Sequence, residues 1–135
     1  MILFTQVSVP MTDFKIDVFI GGTKEEYDLV EEERYSLRPD VNAEFCKNEC
    51  CSIETGSRGF IKNLKVFQIK LEYKPIDNVP YFIHELWHLM WKISNVISDF
   101  ELNKSSEAWA ANMIEKISFD ILNAKYEELN LEFVE

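Results

Sequence analysis

Residues 78–99 read NVPYFIHELWHLMWKISNVISD, with His84-Glu85-Leu86-Trp87-His88 at their centre. His84 and His88 are the only two histidines in the 135 residues. On a helix, positions i and i+4 share a face, so both imidazoles can reach one ion at about 2.0–2.1 Å. Glu85 is turned off that face. It stays outside the metal's own ligands yet reaches a water on the ion, where it acts as general base while zinc lowers the water's pKa towards about 7. Two hydrogen-bonded core histidines are the plainer alternative, but the full array within one apolar helix favours a metal site.

The flanking residues define the helix. Asn78 is suited to the N-cap, and Pro80 to the first turn, where its missing N–H costs nothing. Tyr81, Phe82, Ile83, Leu86, Trp87, Leu89, Met90, Trp91, Ile93, Val96 and Ile97 make the segment apolar on nearly all sides, which predicts a buried helix. His84, Glu85, His88 and Lys92 interrupt it, so it reads as a core helix and not a membrane span.

The length fits one domain, residues 1–135, large enough to bury a core. Hydrophobic residues make up 47% and aromatics 13%, which excludes a disordered chain. The net charge of −10 argues against a nucleic-acid-binding surface, although an acidic surface can itself mimic DNA. The first residues, MILFTQVSVPMTDF, lack a basic start and a long apolar core, and no stretch reads as a membrane span. A cytoplasmic location is therefore expected. The three cysteines, Cys46, Cys50 and Cys51, cannot all pair within one chain and lack the partners for a four-ligand zinc site; they read as free thiols in a reducing compartment.

Residues 2–9 are expected to form a short strand. Residues 14–20 form a better one, with Phe14, Ile16, Val18 and Ile20 alternating with Lys15, Asp17 and Phe19. Gly21-Gly22 ends it. Thr23 and Glu26 make a capping box for a helix over 24–35, on which Glu31-Glu32-Glu33 is a solvated face. Strand pieces are expected at 43–47 and 51–54, followed by a loop at 55–59 in which Arg58 is a candidate substrate contact. Residues 64–74 make the clearest strand. Phe67, Ile69, Leu71 and Tyr73 point one way, and Gln68, Lys70, Glu72 and Lys74 point to a wet face. Ser105 or Ser106 caps a final helix over 106–130, with Glu107, Ala110, Ala111, Ile114, Ile117, Ser118 and Ile121 along its inward stripe.

A catalytic two-histidine site needs a third protein ligand and an open fourth position. With no histidine left, a carboxylate or thiolate must supply it. Glu107 is the first choice because it opens a helix and falls on the inward stripe, where a carboxylate needs a partner. Its alternative role is to stabilise the helix dipole. Asp99 and Glu101 compete with it from the loop.

The array His84-Glu85-Leu86-Trp87-His88, followed by Glu107-Ala108-Trp109-Ala110, resembles the gluzincin arrangement, in which a second helix supplies a glutamate ligand. It is similar in particular to small zincin-like metalloproteases of phages and prophages. The resemblance covers residues 64–122 and implies the order strand, active-site helix, ligand helix, with the strand before the motif at the edge of the cleft. Trp91 stands where a metzincin has glycine. No further histidine is present to stabilise a transition state as in thermolysin-like enzymes, which leaves Tyr73, Tyr81 or Arg58 for that task.

The expected fold is α+β and zincin-like, a small sheet packed on the His84–His88 helix with the Glu107 helix beside it and one helix earlier. The expected function is zinc-dependent hydrolysis of a peptide bond. His84, His88 and Glu107 hold Zn2+, Glu85 activates water, and a peptide or protein substrate adds as a strand to an exposed edge at residues 67–73. No nucleic-acid or membrane partner is expected. Two rivals remain, a zincin-fold module that binds zinc for interaction or regulation without turnover, and a metal-free acidic DNA mimic.

Overall fold

The computed structural model describes residues 1–35, 58–61, 64–97 and 107–129. Their elements run β1 (Ile2–Ser8), β2 (Lys15–Gly21), α1 (Lys24–Tyr35), β3 (Arg58–Ile61), β4 (Val66–Leu71), α2 (Val79–Val96), α3 (Glu107–Asn123) and β5 (Glu127–Glu128). The architecture is α+β. Four strands form a mixed sheet, which the two-residue β5 extends, in the order β3-β4-β2-β1-β5. Only β2 and β4 run parallel; the other neighbours are antiparallel.

Alternation along the strands creates two cores. Val7, Ile16, Val18, Ile20, Phe67, Ile69 and Leu71 point to the face covered by α2 and α3. Phe4, Phe19 and Val66 point to the opposite face, where Tyr27 and Val30 of α1 cover them. The capping box forms as expected. Thr23 Oγ1 accepts from the Glu26 N–H at 3.2 Å, and Glu26 Oε1 accepts from the Thr23 N–H at 3.1 Å. Gly22 needs to be glycine, because its φ is +102° and an added Cβ would stand 2.6 Å from both Ile2 Cγ1 and the Tyr27 ring.

The polar row of β4 departs from expectation. Gln68 and Lys70 are buried rather than wet, because they share the α1 face with Asp17 and Phe19. Asp17 accepts from Gln6 Nε2 at 2.7 Å and from Arg34 Nε at 2.9 Å. The Lys70 ammonium lies 4.5 Å from the centre of the Tyr27 ring, and burial holds its pKa below the ordinary lysine value. Glu31 is buried too, so only Glu32 and Glu33 of the acidic run are solvated.

Strand β4 is also not an edge. It lies between β3 and β2, with β3 paired to residues 66–69 on the side away from β2, so strand addition is ruled out over that stretch. Strand β3 takes in the end of the stretch expected to be a loop. The strand pieces at 43–47 and 51–54, the three cysteines, Asp99, Glu101, Ser105 and Ser106 lie outside the described residues. The last helix stops at Asn123 instead of running to 130, and Glu127–Glu128 pairs with Leu3 and Phe4. Among the described residues, no helix is long and apolar enough to cross a membrane.

Candidate metal centre

Helix α2 begins as its sequence dictates. Asn78 Oδ1 accepts from the Tyr81 N–H at 3.2 Å, and Pro80 sits in the first turn. Phe82, Leu86, Leu89, Met90 and Ile93 anchor the helix on the sheet. That anchoring fixes the opposite side towards solvent. The expectation of a helix buried all round is therefore corrected: Val79, Ile83, Trp87 and Trp91 form an exposed i,i+4 stripe, with His84 and His88 next to it.

The two imidazoles converge. Their Nε2 atoms lie 3.2 Å apart, and the rings meet edge to face with centroids 4.7 Å apart. Two donors about 2.0–2.1 Å from one tetrahedral ion stand about 3.3–3.4 Å from each other, so the pair fits adjacent positions on such an ion. A shared proton between the rings would give a similar distance. Glu85 is buried at 5% exposure, and its Oε1 lies 3.9 Å from His84 Nε2. The array thus combines two accessible nitrogen donors with a carboxylate at the rim of the core.

Tyr81 lies one turn before Glu85. Its hydroxyl accepts from the Glu72 N–H at 3.2 Å, which leaves its own proton to donate elsewhere. Burial raises this phenol's pKa, and the charges of Glu85 and Glu72 add to the effect against the opposing Glu72 hydrogen bond. The Tyr73 ring packs edge to face on Tyr81 at 5.5 Å. Arg58 is placed in β3 opposite Ile69.

Glu107 opens α3 but is exposed. Of the expected inward stripe, Ala110, Ile117 and Ile121 are buried, joined by Met113, whereas Ala111 faces out with Glu107. Among the described residues, no group of three His, Cys, Asp or Glu side chains is gathered closely enough to hold a metal. The histidines are therefore brought together by their own helix, whereas Glu107 is not brought to them.

Sequence reasoning missed the exposed stripe. Its signal was the surplus of apolar residues in α2, more than one buried face can hold, recurring every four positions at 79, 83, 87 and 91. Trp87 and Trp91 meet edge to face at 6.0 Å on this outer surface.

No protein-family model matches the chain, and neither a curated protein nor a solved structure does.

Proposed function

We propose that the chain is a zinc-dependent hydrolase acting on peptide bonds, with a zincin-like site built on α2. The convergence of the His84 and His88 Nε2 atoms to 3.2 Å, with Glu85 Oε1 at 3.9 Å from the first, carries this reading. When bound, zinc supplies Lewis acidity, bringing the pKa of a water towards about 7 and polarising a carbonyl. Glu85 accepts the proton of the attacking water and returns it to the leaving nitrogen. Tyr81, with its hydroxyl proton uncommitted by the Glu72 contact, is the donor proposed for the developing oxyanion. Glu107 would be the third ligand, an assignment that rests on the order of the motif and on its exposed place at the start of α3. The choice of a peptide bond rests on the motif's resemblance to gluzincins.

The test is metal content and turnover of tag-free protein. About one zinc per chain is expected, abolished in His84→Ala and His88→Ala and weakened in Glu107→Ala. Glu85→Gln is expected to keep its zinc and lose roughly 10²–10⁴-fold in hydrolysis of a peptide mixture. No uptake from micromolar zinc would remove the reading. Zinc bound with normal affinity in Glu107→Ala would remove that residue from the ligand set.

The exposed apolar stripe favours a second reading, a zinc-binding interaction module without turnover. On that reading Glu85→Gln changes neither metal content nor partner binding.

A further inference from the structure

The seam between α2 and α3 is a groove. Val79, Ile83 and Trp87 form one wall and Ile114, Ser118 and Leu122 the other, around a cavity of about 300 Å³. Leu122 also lines a second cavity of about 540 Å³, bounded by Ile121, Tyr126, Ile76 and Lys74, so the two adjoin at this residue. Ile83 and Trp87 immediately precede His84 and His88 in sequence, which places the groove wall and the histidine pair on adjoining strips of one helix.

We infer that this groove holds the apolar segment of a peptide with basic flanks, which names the substrate class of the hydrolase reading and rests on it. Three observations select that occupant. The first cavity is lined without a charged residue, and a charged side chain entering it would lose its hydration without a partner. The walls are concave and carry a half-exposed tryptophan, the residue type that most often anchors a partner at a recognition surface. Finally, the chain's net charge of −10 repels acidic flanks and opposes docking of a second copy, which brings another −10, but attracts a cationic segment. Since β4 is interior, the groove replaces strand addition there as the route by which a peptide reaches the histidines.

The test follows the tryptophan emission of the full chain, supplied with zinc, on titration with synthetic peptides. One has a leucine- and phenylalanine-rich centre with lysine flanks; the controls carry serine in the centre or glutamate in the flanks. The apolar, lysine-flanked peptide is expected to bind at least about tenfold more tightly than either control, the effect of burying one large apolar side chain. Ile83→Glu and Leu122→Glu, both at exposed positions, are expected to abolish that preference, while Met11→Glu in the distant β1–β2 turn leaves it intact.

Equal binding of all three peptides, or none, overturns the inference. So does a concentration-dependent dimer that Ile83→Glu dissolves in the absence of peptide binding, since the occupant is then a second copy. Zinc content of the same samples separates this inference from the hydrolase reading. Bound zinc without peptide preference removes the groove assignment alone. Peptide preference without zinc keeps the groove as a recognition site and removes hydrolysis.

Discussion

Asp17 shows how one side chain can tie together a polar patch that the alternation of its strand conceals. It sits on β2 at 1% exposure and accepts from Gln6 Nε2 and Arg34 Nε, joining β1, β2 and α1. Gln6 and Arg34 both reach solvent and can turn to water once it is removed, so the loss is that of two hydrogen bonds, one of them charge-assisted. Arg34 retains partial solvent access, with 35% of its side chain exposed, which moderates the loss. Asp17→Ala is expected to destabilise the fold by roughly 2–3 kcal/mol, read as a lower urea midpoint. A change below about 0.5 kcal/mol, within the usual range for surface substitutions, would mean the patch contributes nothing. At the same scale, the spacing of His84 and His88 was fully legible in the sequence, because a helix brings i and i+4 together without help from the rest of the chain.

Elements were legible where local chemistry encodes them. The capping box set the start of α1, the N-cap set that of α2, and alternation set β2 and β4. Asn78→Ala is expected to cost about 1 kcal/mol in thermal or urea unfolding, by releasing the Tyr81 N–H. Asn78→Asp should recover most of it; a neutral alanine variant would show that the cap is idle. Element ends were less legible. The final helix reads on to 130 by composition, yet it stops at Asn123, and β5 then pairs with β1. That pairing is a contact between residues far apart in the chain, and no local propensity encodes it.

The whole molecule adds what no single element holds, a sheet covered on both faces, with α2 half-sunk on one of them. One consequence is a dependence on alkaline pH. Burial pushes the Tyr126 phenol from its ordinary value of 10.0 up to about 12, and burial raises Tyr27 as well. A group that holds its proton more tightly when folded stabilises the fold fully below its unfolded pKa, and that contribution disappears as pH rises through the folded value. Lys70 acts in the opposite sense, its depressed pKa making the fold more stable as pH climbs towards 10.5. Stability is therefore expected to fall between about pH 10.5 and 12, where only the phenols still contribute a slope among these groups. Tyr126→Phe should flatten that fall in urea midpoints measured across the range; an unchanged slope would contradict the assignment.

By itself the sequence determined the α+β class, the order and starts of the principal elements, and the closeness of His84 and His88, all of which follow from backbone periodicity and neighbours within a few residues. Tertiary structure decided which faces are covered. Strand β4 became interior because β3 pairs with its outer side. Gln68 and Lys70 became buried because they share the sheet face that α1 covers. Glu107 and the Val79–Trp91 stripe turned to solvent because Ala110, Met113 and Ile117 on one helix, and Leu86, Leu89 and Ile93 on the other, claimed the core. Burial depends on contacts between residues distant in the chain, and an apolar pattern wider than one face does not say which part of it those contacts will cover.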